Sequence, residues 1–229
     1  MRQPRTTMTK TATFNEQANE YDAWFEKNKD LYQAELEALR AFIPAGHGVE
    51  IGVGTGRFAA PLGISVGVEP ASQMAKLARQ RGIVVQEAVA EALPFADNSF
   101  DFAVMVTVIC FLDDVAKAFM EAWRILKPRG TLVVGFIDRD SELGRIYDQK
   151  KRQSSFYRDA TFYSASEVET LLTKTDFSGF SYRQTLLLGE ATDLRVREGH
   201  GNGGFVVIRA HKTSKGDMYE GRHHPLSVD

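Results

Sequence analysis

Apolar runs without polar alternation recur through the middle of the chain and predict strands that are covered on both faces. Strands of this kind are typical of parallel sheets with helices on both sides. Helical spacing appears between most of the runs, as in Val115, Phe119 and Ala122. The alternation over residues 48–137 therefore predicts an α/β fold built on an open parallel sheet. The Val- and Ile-rich runs span residues 49–53, 66–69, 83–85, 102–109 and 132–137.

The segments on either side of this region have other patterns. Tyr32 and Leu36 follow helical spacing toward Pro44, which predicts a helix that precedes the sheet. Residues 138–161 are polar without a clean period, so irregular helix and loop are expected there, over the functional edge of the sheet. A closing pair of strands is predicted at residues 177–188 and 204–210.

Composition and charge exclude several classes of protein. The 229 residues carry 28 Lys and Arg against 30 Asp and Glu, a net charge of −2, so no basic field is present to hold nucleic acid. The apolar runs are far shorter than the ~18 residues expected of a membrane span. Cys110 is the single cysteine, which excludes a disulfide framework or a Cys-rich metal cluster and favours a cytoplasmic location. No metal site is predicted.

A glycine-rich loop follows the first predicted strand and carries the strongest chemical signal. Gly52, Gly54 and Gly56 come directly after Glu50, where a strand gives way to a turn. Glycines let a ligand lie directly on the backbone there. A second acid, Glu69, ends the next strand, where it can accept hydrogen bonds from both hydroxyls of a ribose.

The residues of this loop narrow the choice of nucleoside. The dinucleotide fingerprint requires a third glycine at position 57, which is Arg57, and the Gly-Lys-Ser/Thr of a Walker loop is absent. Glu50 would repel a pyrophosphate but could accept a hydrogen bond from an ammonium group. The loop therefore favours a nucleoside that carries an amino acid.

Several stretches together resemble the class I S-adenosylmethionine (SAM)-dependent methyltransferases of the small-molecule, ubiquinone/menaquinone-methylase-like type. The resemblance implies a Rossmann-like, doubly wound, mostly parallel seven-stranded sheet with an antiparallel last strand. It also identifies residues 14–25 as similar to the lid helix that many of these enzymes place over the cofactor. The stretches that match are the glycine loop, residues 68–74, residues 90–101 and residues 126–132.

This resemblance divides the chain as follows. Residues 14–211 are expected to form a single methyltransferase domain between a flexible N-terminus (1–13) and a tail (212–229). Within the domain the expected parts are a helical lid and lead-in (14–47), the SAM-binding half (48–137) and an acceptor side with closing strands (138–211).

The resemblance also assigns residues to parts of the cofactor. Glu50, Gly52, Gly54 and Gly56 are expected to hold the methionine moiety, and Glu69 the ribose. The remaining residues implied in cofactor binding, most of them near the adenine, are Pro70, Met74, Ala90, Glu91 and Met105.

Three positions depart from the family pattern. Val89 stands where many relatives have Asp, so adenine would be held more by packing. Arg129 replaces a usual Gly, which suits a type I turn better than a type II turn. Cys110 lies in a loop where relatives often carry polar residues that face the acceptor, so a relative's substrate does not transfer directly.

Acceptor-side residues can be suggested only as candidates. Asp138 and Arg139 follow the fifth predicted strand and could border the acceptor site, although a helix cap and a solvated partner are equally ordinary roles. Tyr21 and Trp24 could close over the cofactor or simply pack an amphipathic helix. The same choice, acceptor pocket or core, applies to Phe111, Phe156, Tyr157 and Tyr163.

The leading hypothesis is an enzyme that moves a methyl group from SAM to a small-molecule acceptor by in-line displacement and releases S-adenosylhomocysteine (SAH). A catalytically silent SAM- or SAH-binding protein, acting as sensor or partner, is an alternative. A nicotinamide-linked oxidoreductase is a third, and Arg57 argues against it. The expected partner is a small molecule, not nucleic acid, and the expected state is a monomer or homodimer.

Overall fold

A computed structural model describes residues 8–189 and 192–213 and shows one continuous sheet flanked by helices. Three helices precede the first strand, and the rest alternate with strands or cover the last part of the chain. The strands are β1 (Gly48–Ile51), β2 (Val66–Val68), β3 (Val84–Gln86), β4 (Phe100–Val106), β5 (Leu126–Ile137), β6 (Phe177–Thr185), β7 (Arg197–Glu198) and β8 (Phe205–Lys212). The helices are α1 (Met8–Glu16), α2 (Ala18–Lys27), α3 (Lys29–Arg40), α4 (Ser72–Gln80), α5 (Val115–Ile125), α6 (Glu142–Lys150) and α7 (Ala165–Lys174).

The order of strands in the sheet is β3-β2-β1-β4-β5-β8-β6-β7. Strands β1 to β5 pair in parallel, whereas β8 is antiparallel to both of its neighbours. The prediction of a mostly parallel seven-stranded sheet with an antiparallel last strand is confirmed, and the two-residue β7 adds a short eighth strand at one edge. The strand order reverses beside β1, and ligands of such sheets bind at the carboxyl ends of the strands at this point.

Helices cover both faces of the central strands, as their unbroken apolar sequence predicts. Val133 packs in one buried cluster with Leu39 of α3, while the next residue, Val134, packs in a second cluster with Phe119 of α5. Successive side chains of a strand point to opposite faces, so both faces of β5 are buried. No helix in the described ranges is long and apolar enough to cross a membrane.

The connection from β1 to β2 differs from the short crossover helix that the sequence suggests. Residues 54–63 form a series of turns, with isolated helix-like bonds from Ala60 N to Gly56 O and from Leu62 N to Phe58 O. The connection is too short to hold a regular helix and still return to the sheet. The connection is instead held against the core by the buried side chains of Phe58 and Ala59.

The expected ends of the domain shift in the structure. Lys212, placed at the start of a tail, is instead the last residue of β8, and its buried Nζ donates to Leu126 O at 2.6 Å and to Asn98 Oδ1 at 3.0 Å. At the other end, α1 begins at Met8, so the boundary expected at 13/14 falls inside a helix. Residues 1–7, and residues 214–229 of the predicted tail, lie outside the described residues.

The irregular first part of β5 also corrects an expectation. Arg129 has φ 63°, a left-handed conformation that the third residue of a type II turn requires and that a type I turn excludes. The chain therefore keeps the backbone shape that suits glycine, although an exposed arginine occupies the position.

Candidate active site

The glycine loop after β1 is shaped by backbone conformations that other residues rarely adopt. Gly52, Gly54 and Gly56 have φ values of 76°, 54° and 84°. The first turn is fastened to the sheet, since Gly52 N and Val53 N both donate to Val68 O, at 2.8 and 2.9 Å. All three glycines therefore satisfy the requirement for positive φ that the sequence pattern implies.

Only the middle glycine faces open space. A Cβ added at Gly52 would lie 2.4 Å from a methyl of Val108, and one at Gly56 would lie 2.6 Å from a methyl of Ile83. At Gly54 the nearest atoms would be 3.8 Å away or more. Gly52 and Gly56 thus permit close packing of the loop, whereas Gly54 leaves room for a ligand.

Glu69 is held in a fixed orientation at the end of β2. Its Oε2 accepts from Gly54 N at 3.0 Å, and its Oε1 accepts from Ala71 N at 2.8 Å. Burial raises the pKa of Glu69 to about 7, although these two hydrogen bonds lower it. Each carboxylate oxygen keeps accepting capacity beyond these bonds, so the group can receive two adjacent hydroxyls.

Glu50 is a buried acid with an unsatisfied oxygen. Its side chain is 1% exposed, and in the part of the chain that the structure describes Oε2 has no hydrogen-bond partner. Burial raises the pKa of Glu50 well above its usual value, a backbone hydrogen bond from Ala59 lowers it, and the charge of Glu69 raises it further. An unpaired buried carboxylate is expensive unless a cation approaches it, so the site fits a positively charged ligand.

A cavity of about 110 Å³ opens beside these residues and is referred to below as the cofactor cavity. It brings together most of the sequence-predicted cofactor residues with residues that the sequence did not indicate. The lining residues predicted from the sequence are Tyr21, Gly52, Gly54, Glu69, Pro70, Met74, Ala90 and Glu91, with Phe14 from the segment expected over the cofactor; those not predicted include Thr11, Thr107, Val108, Leu112 and Asp113.

Three predicted cofactor residues do not line this cavity. Glu50 and Gly56 lie in the packing behind the loop. Met105 is fully buried in a cluster with residues of α5 and does not line the cavity. Val106 lines the cavity instead, because consecutive side chains of β4 point to opposite faces.

Glu91 has a positioning role in addition to its place in the cavity wall. Its Oε1 accepts from the backbone N–H groups of Asp113 and Asp114, at 3.0 and 3.3 Å. This pair of bonds fastens the segment before α5 across the mouth of the cofactor cavity. Val89, where relatives often carry an acid, also lines the cavity and offers only apolar contact.

A second, larger cavity of about 230 Å³ adjoins the first and is referred to below as the aromatic cavity. The two share Phe14, Tyr21, Thr107 and Phe111, so they lie next to each other with these residues in a common wall. Of the aromatic candidates from the sequence, Tyr163 is not in this wall. The aromatic residues that line the cavity are Phe14, Tyr21, Trp24, Phe25, Phe58, Phe111, Tyr147, Phe156 and Tyr157.

Glu35 is the one charged residue in the described wall of the aromatic cavity, and sequence reasoning missed it. It is 7% exposed, and burial raises its pKa to about 8. A signal was present in the sequence, because Glu35 lies at helical spacing with Tyr32 and Leu39 and so falls on the apolar face of α3.

Tyr21 stands at the junction of the two cavities. Burial raises the pKa of its hydroxyl, and the negative charges of Glu50, Glu69 and Glu35 raise it further. Tyr21 is therefore near an acid in each cavity wall, Glu69 in the cofactor cavity and Glu35 in the aromatic cavity. Trp24 lines the aromatic cavity only.

Asp138 and Arg139 lie in neither cavity wall. Asp138 is buried and shapes the turn before α6, where its Oδ1 accepts from Asp140 N at 3.1 Å. Arg139 forms an ion pair with Glu167 at 2.9 Å. The ordinary roles of a turn-forming acid and a partly exposed partner therefore describe both residues.

Two helices, α1 and α2, lie over this site, where the sequence predicts a single lid helix over residues 14–25. Asn15 fastens α1 to α4, since its Oδ1 accepts from Gln73 N at 3.0 Å. Asp22 fastens α2 to the glycine loop through Arg57 and to the end of α4 through Arg81. The two helices thus cover both cavities.

This fold and this site define a class I SAM-dependent methyltransferase, and the chain belongs to that family. A family model described as a methyltransferase domain matches residues 49–134. A SAM-dependent methyltransferase from Thermotoga maritima, described as a possible histamine N-methyltransferase, is 49% identical in sequence. The two structures superpose with a TM-score of 0.84 over 88% of this chain and 99% of the other.

Two curated relatives extend the comparison. An uncharacterized protein from Methanocaldococcus jannaschii is 47% identical over 201 residues, which cover 87% of this chain and 98% of that protein. A demethylmenaquinone methyltransferase from Roseiflexus castenholzii is 37% identical over 106 residues, which cover 42% of this chain and 44% of that enzyme. The likeness to the quinone enzyme is therefore confined to less than half of either chain.

Proposed function

We propose that this protein transfers the methyl group of SAM to a small molecule bound in the aromatic cavity. The observation that carries the proposal is that the two cavities share a wall, because a methyl group can pass directly only between ligands that are bound next to each other. The shared walls at Tyr21 and Thr107 mark where the ligands would meet.

The cofactor cavity fits SAM by the chemistry of its residues. Gly54 offers the open surface that the methionine part requires, and the unpaired Glu50 oxygen provides a nearby negative charge for its ammonium group. Glu69, oriented by two backbone hydrogen bonds, would accept the ribose hydroxyls. Met74, Ala90 and Val89 would pack against the adenine.

When bound, SAM supplies a methyl carbon attached to a positively charged sulfur. A nucleophile of the acceptor forms a bond to that carbon while the carbon–sulfur bond breaks and its electron pair stays on sulfur. The charged sulfur becomes neutral in this step, so alignment of the two ligands and exclusion of water supply much of the catalysis. Phe14 and Tyr21 of the lid would exclude water at the junction.

The direct test is turnover of methyl-labelled SAM with a panel of small-molecule acceptors, read by label in the acceptor and by release of SAH. The proposal expects transfer to at least one acceptor and none to RNA. Binding of SAH with no transfer to any acceptor would favour the alternative of a silent SAM-binding protein. A cytoplasmic location and a monomeric or homodimeric state are parts of the same proposal.

A further inference from the structure

The aromatic cavity contains a buried acid that has no partner among the described residues. Glu35 projects from α3 into a wall of aromatic and aliphatic side chains, and it makes no hydrogen bond or salt bridge with any described residue. None of the described residues that line the cavity is Lys, Arg or His. Burial of an unpaired carboxylate is costly, so an acid in such a place points to a ligand that neutralises it.

The charge of Glu35 acts on tyrosines from three different segments. Its negative charge contributes to the raised pKa values of Tyr21 on α2, Tyr147 on α6 and Tyr157 in the segment that follows, although burial is the main cause in each case. Glu35 therefore faces the same enclosed space as all three hydroxyls. They can donate hydrogen bonds, but none supplies a positive charge.

From this geometry we infer that the acceptor is a primary or secondary amine with an aromatic or apolar body, and that Glu35 binds its nitrogen and accepts its proton. The inference rests on the proposed function and adds the chemical class of the acceptor. The ammonium group would pair with the carboxylate, and the surrounding rings of Trp24, Phe25 and Phe58 would attract the cation and hold the apolar body.

The Glu35 carboxylate takes one proton from the ammonium group and leaves a neutral amine with a free electron pair. That pair forms the nitrogen–carbon bond while the carbon–sulfur bond breaks toward sulfur, so the methylated amine carries the positive charge away. Glu35 then releases its proton to water. Burial, which raises the pKa of Glu35 to about 8, makes it a stronger base than an exposed carboxylate.

The test uses calorimetry on the whole chain in the presence of saturating SAH. Arylalkyl amines from benzylamine to 3-phenylpropylamine are compared with the alcohols in which a hydroxyl replaces the amino group. The variants are Glu35→Gln and, as a matched control on the same helix, Glu37→Gln, whose exposed side chain only accepts from Gln33.

We expect at least one amine to bind about tenfold more tightly than its alcohol in the wild type and in Glu37→Gln. In Glu35→Gln the two should bind within about twofold of each other, and methyl transfer from labelled SAM to the amine should fall at least 100-fold. SAH affinity should be the same in all three proteins, which shows that the variants fold.

Equal binding of amines and alcohols by the wild type, no binding of any amine, or an unchanged preference in Glu35→Gln would each overturn the inference. The proposed function fails separately, because it requires SAH to bind and a methyl group to be transferred to some acceptor. Tight SAH binding with transfer only to a phenol or a quinone precursor would contradict the amine assignment and leave the methyltransferase proposal intact.

Discussion

Arg57 binds Asp22 through two parallel hydrogen bonds, from Nε to Oδ1 at 2.9 Å and from Nη2 to Oδ2 at 2.6 Å. Arg81 adds a third bond to the same Oδ2 at 2.9 Å. The residue that breaks the dinucleotide fingerprint therefore fastens the lid helix α2 to the glycine loop. Although burial raises the pKa of Asp22, hydrogen bonds from Arg57 and Arg81 lower it to about 2.

Replacement of Asp22 by Asn should loosen the lid. The change leaves two largely buried guanidinium groups without their shared charge, which costs about 1–3 kcal/mol in the free energy of unfolding. We expect a weaker SAH affinity as well, because the lid covers the cofactor cavity. Urea unfolding and SAH titration measure the two effects.

Glu26→Gln is the matched control for Asp22→Asn. Glu26 also pairs with Arg57, but its side chain is 56% exposed, so its replacement should lower the stability much less than the replacement of Asp22 does. An Asp22→Asn protein as stable as the control would show that the bidentate pair does not hold the lid.

Gly54 and Gly63 allow the cavity-facing role of the glycine loop to be separated from its backbone strain. Both have positive φ, and at Gly63 an added Cβ meets no atom within 4 Å. Alanine at either position should destabilise the fold by about 1–2 kcal/mol. Only Gly54→Ala should reduce SAH affinity, by tenfold or more, since its methyl group enters the cofactor cavity. Equal SAH affinity in the two variants would contradict this role.

The buried acids give the ligand-free protein an unusual dependence of stability on pH. Burial raises the pKa of Glu35 from 4.5 to about 8 and that of Glu69 from 4.5 to about 7. Between pH 4.5 and 8 the folded state therefore binds more protons than the unfolded state. The stability should accordingly be greatest near pH 4.5 and fall as the pH rises toward 8. Melting temperatures of wild type and Glu35→Gln across this range test the sign.

Between pH 5 and 8 the free energy of unfolding should fall less in Glu35→Gln than in the wild type. The difference should be on the order of a few kcal/mol. A wild type that becomes more stable over this interval, or a variant with an unchanged slope, would show that Glu35 does not stay protonated in the empty cavity.

Arg129 offers a test of backbone strain far from the site. Its φ of 63° is unfavourable for a residue with a Cβ by about 1–2 kcal/mol. Glycine removes this strain, but part of the gain in stability is lost because glycine raises the conformational entropy of the unfolded chain. Arg129→Gly should therefore stabilise the protein by up to about 1 kcal/mol, whereas Arg129→Ala, which keeps the Cβ, should be neutral. Chemical denaturation of both variants measures the difference.

Features with a local chemical signature could be predicted from the sequence. The buried parallel strands are continuous apolar runs, and the ligand loop needs glycine at positive φ, so both appear in the residue types themselves. Glu69 follows from its place at the end of the second strand. These signals are sufficient for the fold and for most of the cofactor cavity.

Features that depend on tertiary packing could not be predicted in this way. The choice between Met105 and Val106 depends on which face of β4 meets the cavity, and the use of Asp138 in a turn depends on the path of the chain after β5. Glu35 lies on a helix whose partner surface is the aromatic cavity, which only the folded chain assembles. Lys212 ends β8, and its ammonium group donates to Leu126 O on the neighbouring strand β5, a contact that only the folded sheet provides.

Calorimetric titration of the whole chain with SAH and with NAD tests the central claim most directly, with Glu69→Ala beside the wild type. The account predicts saturable binding of SAH and none of NAD. It also predicts a loss of SAH affinity of about 10- to 100-fold in Glu69→Ala, since two hydrogen bonds to a charged group are removed. Glu87→Ala, an acid partly exposed on the adjacent strand end and paired only with Arg79, should bind SAH normally. Binding of NAD, or SAH affinity indifferent to Glu69→Ala, would contradict the account.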